Sequence, residues 1–452
     1  LTLRYVPAPL TMVAGIRKFP AAHHAVARDG RLDRPVRWWD IAIRSGPGGV
    51  TAEQRERLDW LLDDAVRLCL RSDVPYGAFL SGGVDSGLVT ALMARRASEP
   101  VRTFSIGFAG TVDERPEAEA VARALGTRHH SFELAPADLR RLPRVACMVD
   151  EPFPDPIVLA MDLLAEHASS EVKVILTGEG ADELFGGYVH HPTLRLLGRL
   201  SPALVPPLPA VGAAMARALP DAVIDRLFNY PVPPGSEARQ RLAGLLREAR
   251  SDVGRTLAYV SLFDAGDRDR LLTPDARAAM DGSGIGRFTS LIKSSSGAFP
   301  DRLWTAEYKT WLADNILFKQ DKTLMAHSVE GRVPFCDHRL VELAAGLPMA
   351  ARLKAGINKA ELRAAAQRLA PDLPAARAKK AFMVPFDGAY GAEIRQLAGD
   401  LLGSGPFAEC GLFRKDEVDL LVRRFATPTL LGGKKLLALV MLALWQREVL
   451  AP

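Results

Sequence analysis

Apolar residues recur along this chain with two different periods, and the change from one to the other marks its organisation. Leu58, Leu61, Leu62, Ala65, Val66, Cys69 and Leu70 follow one another at steps of three and four, which predicts an amphipathic helix over 52–71. Short apolar runs then predict strands at Tyr76–Leu80, Thr103–Phe108, Ser131–Leu134 and Val172–Thr177, with helical spacing near 86–97, 114–125, 136–149 and 157–168. Strands alternating with helices of that length predict an α/β fold whose mostly parallel sheet is covered on both faces. Beyond residue 190 the pattern is helical, broken by proline-rich stretches at Pro202–Pro209 and Pro231–Pro234. Ahead of the first helix lie an extended segment, Leu1–Pro7, and a hairpin signal at Asp29-Gly30. Glycine-rich 45–50 reads as a linker. The organisation expected is an edge piece of some other domain over 1–48, then one unit over 49–452, made of an α/β core (49–190) and a mainly helical extension (191–452).

Composition adds exclusions. With 48% apolar and 25% charged residues the chain is ordinary globular protein. Lys and Arg number 58 against 53 Asp and Glu, a net charge of +5, and no basic stripe with interleaved aromatics is present, so a nucleic-acid partner is not expected. Cys69, Cys147, Cys336 and Cys410 are far apart without a CxxC pair, which points to reduced, mostly buried thiols. The longest apolar run, Leu436–Trp445, is about half of the roughly 20 residues that span a bilayer, and no signal-peptide pattern opens the sequence. A cytoplasmic protein without a membrane partner is expected. The chain opens at Leu1, as a processed or partial chain would. The histidine pairs His23-His24, His129-His130 and His190-His191 lack metal-ligand spacing; neighbours on a strand point to opposite faces, so they read as structural or exposed.

Three segments carry chemistry. In Gly77-Ala-Phe-Leu-Ser-Gly-Gly-Val-Asp-Ser86 an apolar strand runs into two glycines and then a helix. Glycine lets backbone N–H groups approach an anion, and the helix N-terminus adds partial positive charge. No Gly-Lys-Ser/Thr follows, so this is not the common nucleoside-triphosphate loop. Asp85 beside a phosphate implies an intervening Mg²⁺; the alternative is a plain glycine turn. In Thr177-Gly-Glu-Gly-Ala-Asp-Glu-Leu-Phe-Gly-Gly-Tyr188 three carboxylates crowd the end of a strand. Their repulsion calls for a metal or a cationic substrate, unless the loop is simply solvated. Gly356-Ile357-Asn358 precedes a helical pattern from Lys359 to Leu369, with Asn358 as N-cap. A lysine in the first turn opposes the helix dipole at a cost of about 0.3–1 kcal/mol. A nearby anion reverses that sign, whereas a solvated lysine needs none. Glu330 and Arg332 read first as a buried structural pair, with a site role for Glu330 as the alternative, and Arg377, Lys379 and Lys380 as a second basic cluster or a solvated loop.

Ser81-Gly-Gly-Val-Asp-Ser86 resembles the pyrophosphate loop of ATP pyrophosphatases, whose sheet is of the adenine-nucleotide α-hydrolase-like (PP-loop) type. Thr177–Tyr188 resembles the signature of the asparagine synthetase (glutamine-hydrolysing) family. So do Arg4-Tyr-Val-Pro7, Gly15-Ile-Arg-Lys-Phe-Pro20, Ser105-Ile-Gly-Phe108, Asp150-Glu-Pro-Phe153 and Met325–Phe335. The resemblance implies ATP and Mg²⁺, a small carboxylate (aspartate or a related acid) activated as an acyl-adenylate, and ammonia from a glutaminase half, with a homodimer as the assembly. It makes residues 1–48 the end of a glutaminase-like domain. It implies that Leu80, Ser81, Gly82, Gly83, Asp85, Ser86, Ile106, Thr177 and Gly178 bind nucleotide, that Asp85 and Asp182 bind Mg²⁺, and that Glu179, Asp182 and Lys359 serve catalysis, Lys359 at the pyrophosphate.

Two departures qualify it. Glutamine-dependent members begin with a nucleophilic cysteine, but the first here is Cys69, so these residues cannot hydrolyse glutamine. The glutaminase half is then cut away, a separate chain, or replaced by another amine source. If it is absent, Tyr5, Ile16, Phe19, Trp38 and Trp39 are expected to be partly exposed. The helix after Asp155 has Ile157, Ala160, Met161 and Asp162 where many members have serine and Pro-Thr-Tyr, which leaves the acid open. A ring-closing amide synthetase of the β-lactam synthetase or lasso-peptide cyclase kind, and a tRNA-modifying PP-loop ATPase, stand as alternatives.

Overall fold

The computed structural model describes residues 1–108, 113–200, 207–220, 223, 235–354, 356–374, 385–426 and 428–450. Helix α1 (Ala52–Cys69) starts on a capping box: Thr51 Oγ1 accepts from the Gln54 N–H and Gln54 Oε1 accepts from the Thr51 N–H, both at 3.1 Å. Its predicted apolar stripe, Leu58 to Val66, is buried. There follow β1 (Tyr76–Phe79), α2 (Val84–Ala94), β2 (Arg102–Phe108), α3 (Arg115–Leu125), β3 (Arg128–Leu134), α4 (Leu142–Met148), α5 (Ile157–Ser169) and β4 (Val174–Leu176). The strands form one sheet with a fifth, β5 (Glu330–Arg332), in the order β3-β2-β1-β4-β5, every neighbouring pair parallel. This is the α/β parallel sheet expected from the pattern. On one face Phe104, Ile106 and Phe108 are buried with Val158 and Leu159 of α5. On the other, Ala78, Val174 and Leu176 are buried with α1 and α2.

The part after residue 190 is helical, as expected. It includes α7 (His190–Leu200), which follows the short α6 (Ala181–Phe185), then α8 (Phe299–Ala306), α9 (Phe318–Met325), α10 (Ala360–Leu369) and α11 (Leu430–Trp445). Between α8 and α9 the helix widens to the π form over Glu307–Leu317. The apolar run Leu436–Trp445 is buried along most of α11. Among the described residues no helix is long and apolar enough to cross a membrane.

Several local expectations need correction. Leu1–Pro7 forms no strand: Arg4 sits at φ 69°, and the carbonyls of Leu1 and Thr2 accept from Phe263 and Leu262 rather than from a neighbouring strand. The helix expected over 136–149 is a 3₁₀ turn (Pro136–Arg141) followed by α4, restarting where Pro143 has no N–H to donate. Glu330 and Arg332 do pair, at 2.8 Å, but Glu330 is exposed. Arg332 also donates to the Cys69 and Arg71 carbonyls at 2.8 and 2.7 Å, satisfying the end of α1. All four cysteines are free, yet Cys147 is exposed and the others only half-buried. The Asp29-Gly30 hairpin is present, with φ 49° and 74° and Arg28 opposite Arg31. Ile16, Phe19 and Trp38 are exposed, Tyr5 and Trp39 half-buried. Residues 202–206 and 231–234, with Arg377, Lys379 and Lys380, lie outside the described residues.

Candidate active site

From β1 the chain crosses to β2 on one side, while β4 lies on the other. The crevice beyond the strand ends at such a reversal is where open α/β sheets bind ligands. A cavity of about 340 Å³ opens there. Every residue assigned above to nucleotide, metal or catalysis faces it: Leu80, Ser81, Gly82, Gly83, Asp85, Ser86, Ile106, Thr177, Gly178, Glu179, Asp182 and Lys359.

Glycine brings the two motif loops together. A Cβ on Gly178 would stand 2.8 Å from the Ser86 nitrogen and 2.9 Å from the Asp85 Cβ, so the loops after β1 and β4 touch backbone to backbone. Gly83 caps α2 in an extended conformation, and Ser81 Oγ and Ser86 Oγ share a hydrogen bond of 2.9 Å across the loop. A Cβ on Gly82 would lie 2.2 Å from the Glu117 Cβ. The second motif turns through Gly180 (φ 90°) into α6 and out through Gly186 (φ 73°). Those turns are the physical reason for the spacing of the signature's glycines and acids.

Charge concentrates where the loops meet. Lys359 is 2% exposed; its Nζ lies 2.6 Å from Asp182 Oδ1 and also bonds Asp85 Oδ2. Burial works to strip its proton, but the two carboxylates outweigh it and hold the ammonium charged well above the usual lysine range. Lys359 is itself the N-cap of α10, at φ 55°, and the helix starts at Ala360, so the expected placement is off by one residue. Asn358 is not the cap: its Nδ2 donates to the Gly187 and Tyr188 carbonyls at 3.2 Å. This clasp fixes the turn that aims Lys359 inward. Gly187 leaves the room, since a Cβ there would sit 1.7 Å from Asp182 Oδ1 and 2.0 Å from Lys359 Cε.

The three crowded carboxylates separate into two kinds. Glu179 and Asp182 line the cavity. Glu183 is 1% exposed and accepts from the Tyr188 hydroxyl at 2.5 Å, which accepts in turn from Trp311 Nε1 at 2.8 Å. Burial first, and then the charge of Asp182, pushes its carboxyl up to about 8. Asp85 Oδ1 is a buried oxygen without a hydrogen-bond partner. Two converging aspartates with such an oxygen are the donors that a hard divalent cation takes.

Of the residues where the sequence departs, Ile157, Ala160 and Met161 line the cavity. Asp162 does not; fully buried, it binds Arg141 at 2.9 Å and His327 at 2.7 Å. Gln320, Arg363 and Glu117 also line the cavity and no motif marked them. Gln320 Oε1 accepts from Thr177 Oγ1 at 3.0 Å, joining α9 to the end of β4.

A second buried charge cluster lies at the start of α7. His190 Nε2 and His191 Nε2 lie 2.6 and 2.8 Å from the two oxygens of Glu307, and Trp304 Nε1 stands 2.8 Å from His191 Nε2. The pair therefore meets at one partner, contrary to the strand-based expectation, because α7 brings successive side chains round the start of a helix. Burial opposes ionisation of Glu307, but the imidazoles hold its carboxyl down at about 2.

The family profile described as asparagine synthase matches residues 57–447. Asparagine synthetase [glutamine-hydrolyzing] 1 of Bacillus subtilis is 29% identical over 395 residues, covering 85% of this chain and 58% of the relative. A putative asparagine synthetase [glutamine-hydrolyzing] of Mycobacterium bovis is 31% identical over 394 residues, 85% of this chain and 57% of its own length. An amidase of Gibberella zeae is 25% identical over 417 residues, 83% of this chain and 59% of the relative. The chain thus spans little more than half the length of these relatives. With a profile match across most of its length and both motif loops at one cavity, the chain belongs to the asparagine synthase family.

Proposed function

We propose that this chain is the synthetase portion of an ATP-dependent, amide-bond-forming ligase. It activates aspartate or a related small acid as an acyl-adenylate with release of pyrophosphate, and ammonia from a glutaminase half then attacks the acyl carbon, displacing AMP and losing a proton. The observation that carries this reading is the meeting of Asp85, Asp182 and Lys359 beside Glu179, at the glycine-lined start of α2. The pyrophosphate of ATP would lie over the N–H groups of Gly82 and Gly83, where the helix end favours an anion. Asp85 and Asp182 would hold Mg²⁺, which neutralises phosphate charge when bound. The acid's carboxylate oxygen bonds to the α-phosphorus, the bond to the bridging oxygen breaks, and Lys359 offsets the charge that develops on the departing pyrophosphate. Glu179 serves the acyl-adenylate, and the walls around it hold acid and nucleotide in line. The glutaminase half is inferred from relatives named glutamine-hydrolysing that are longer than this chain. Cytoplasmic ATP would supply the reaction.

The apolar wall of Ile157, Ala160 and Met161 favours a second reading, in which a bulkier acid carries its own amine and closes a ring. Acid-dependent exchange of labelled pyrophosphate into ATP tests adenylation, and product mass with ammonium or glutamine tests the amine. Exchange with ammonium-dependent AMP formation supports the first reading; loss of water from a single substrate without ammonium selects the second. Absence of exchange with every acid refutes adenylation, and equal use of glutamine by the pure single chain refutes a separate nitrogen supply.

A further inference from the structure

Asp85 and Asp182 arrive from different loops and share one counter-ion. The ammonium of Lys359 bonds Asp85 Oδ2 and stands 2.6 Å from Asp182 Oδ1. It is almost wholly buried, fixed by a left-handed backbone at φ 55°, and flanked by a glycine whose Cβ would touch its Cε at 2.0 Å. A divalent cation held between the same two carboxylates would come up against Nζ, and two cations drawn to one pair of carboxylates repel. Moreover, a displaced buried ammonium would be left without a counter-charge, which is costly unless an anion receives it.

We propose that in the nucleotide-free protein Lys359 fills the divalent-cation position. Metal alone is then refused and enters only with the nucleotide, whose pyrophosphate takes over the ammonium as the metal takes over the aspartates. This rests on the reading that Asp85 and Asp182 are the metal's ligands. The exchange delivers Lys359 to the leaving group only when the metal is in place. Metal and nucleotide affinities must then rise together, by the same factor in both directions.

Mn²⁺ is the probe, with the ion retained with the protein on ultrafiltration as readout, since Mn²⁺ held by ATP in solution passes through, on the full chain without acid substrate so that nothing turns over. Wild type should leave Mn²⁺ free without nucleotide and take up a single ion once ATP is added. Lys359→Met should bind a single Mn²⁺ without ATP at least about tenfold more tightly than wild type, since the aspartates lose the ammonium between them; adding Asp182→Asn should abolish that binding. Lys359→Gln serves if circular dichroism finds the Met variant unfolded. Nucleotide-free wild type binding Mn²⁺ as tightly as the variant overturns the exchange. So does a folded variant that binds none while wild type with ATP does. No uptake by any protein, even with ATP, refutes the metal-ligand reading itself and is separable from pyrophosphate exchange, which is measured independently.

Discussion

Two of the buried ionic clusters, Lys359 with Asp85 and Asp182 and Glu307 with His190 and His191, are built from similar parts to opposite ends. In the first, the ammonium of Lys359 lies between two carboxylates, and the group borders a cavity. In the second, each carboxylate oxygen has its own imidazole, and Trp304 closes the remaining side. Burial is common to both and therefore does not distinguish a working site from a brace. Access does. A cluster facing a glycine-lined space can receive a ligand, whereas one enclosed among helices holds them in place.

Breaking the open cluster should have the largest effect. Asp85→Asn should lower acid-dependent pyrophosphate release on the order of 10³-fold while the circular dichroism spectrum stays native; wild-type turnover would refute its role. Lys359→Ala should slow adenylate formation by about 10²-fold in single-turnover experiments, and an unchanged rate would make the lysine a bystander. Breaking the closed cluster should show the reverse pattern. Glu307→Gln should cost about 3 kcal/mol of stability in denaturant unfolding and leave pyrophosphate exchange nearly intact below the melting range. A large loss of exchange without loss of stability would erase the distinction.

The smallest effect sharpens the comparison beside the open site. Glu183, held up to about 8 from an ordinary value of 4.5, keeps its proton in the folded protein after the unfolded chain has released it. Its stabilising contribution is fully present below about pH 4.5 and is lost as pH rises through about 8. Glu183→Gln should therefore flatten the decline of Tm across that window. A wild-type slope in the variant would place the titration elsewhere.

What was legible in the sequence follows from how local each feature is. Both ligand loops are short runs in which glycine, acid and strand end are contiguous, so the residues that meet at Gly178 carry their own signal. Lys359 stands out through its conflict with a helix dipole, although Asn358 reads as the cap because the left-handed turn at 359 leaves no trace in composition. Gln320 and Glu307 carried no signal. Their partners, Thr177 and His190-His191, are far off in sequence, and a lone glutamine or glutamate has no pattern. Glu330 pairs with Arg332 as expected but is exposed rather than buried, since Arg332 serves the end of α1 at the surface.

The short strand β5 has a consequence for how the protein is made. Val174 of β4 pairs with Glu330, which leaves the ribosome only after α7 and α8 have been synthesised. Until then the open edge of β4 offers its backbone to any neighbouring strand, an exposure that favours mispairing and aggregation. The nascent chain must shelter that edge through the whole interval, so premature termination before residue 330 should yield insoluble product rather than a smaller folded unit.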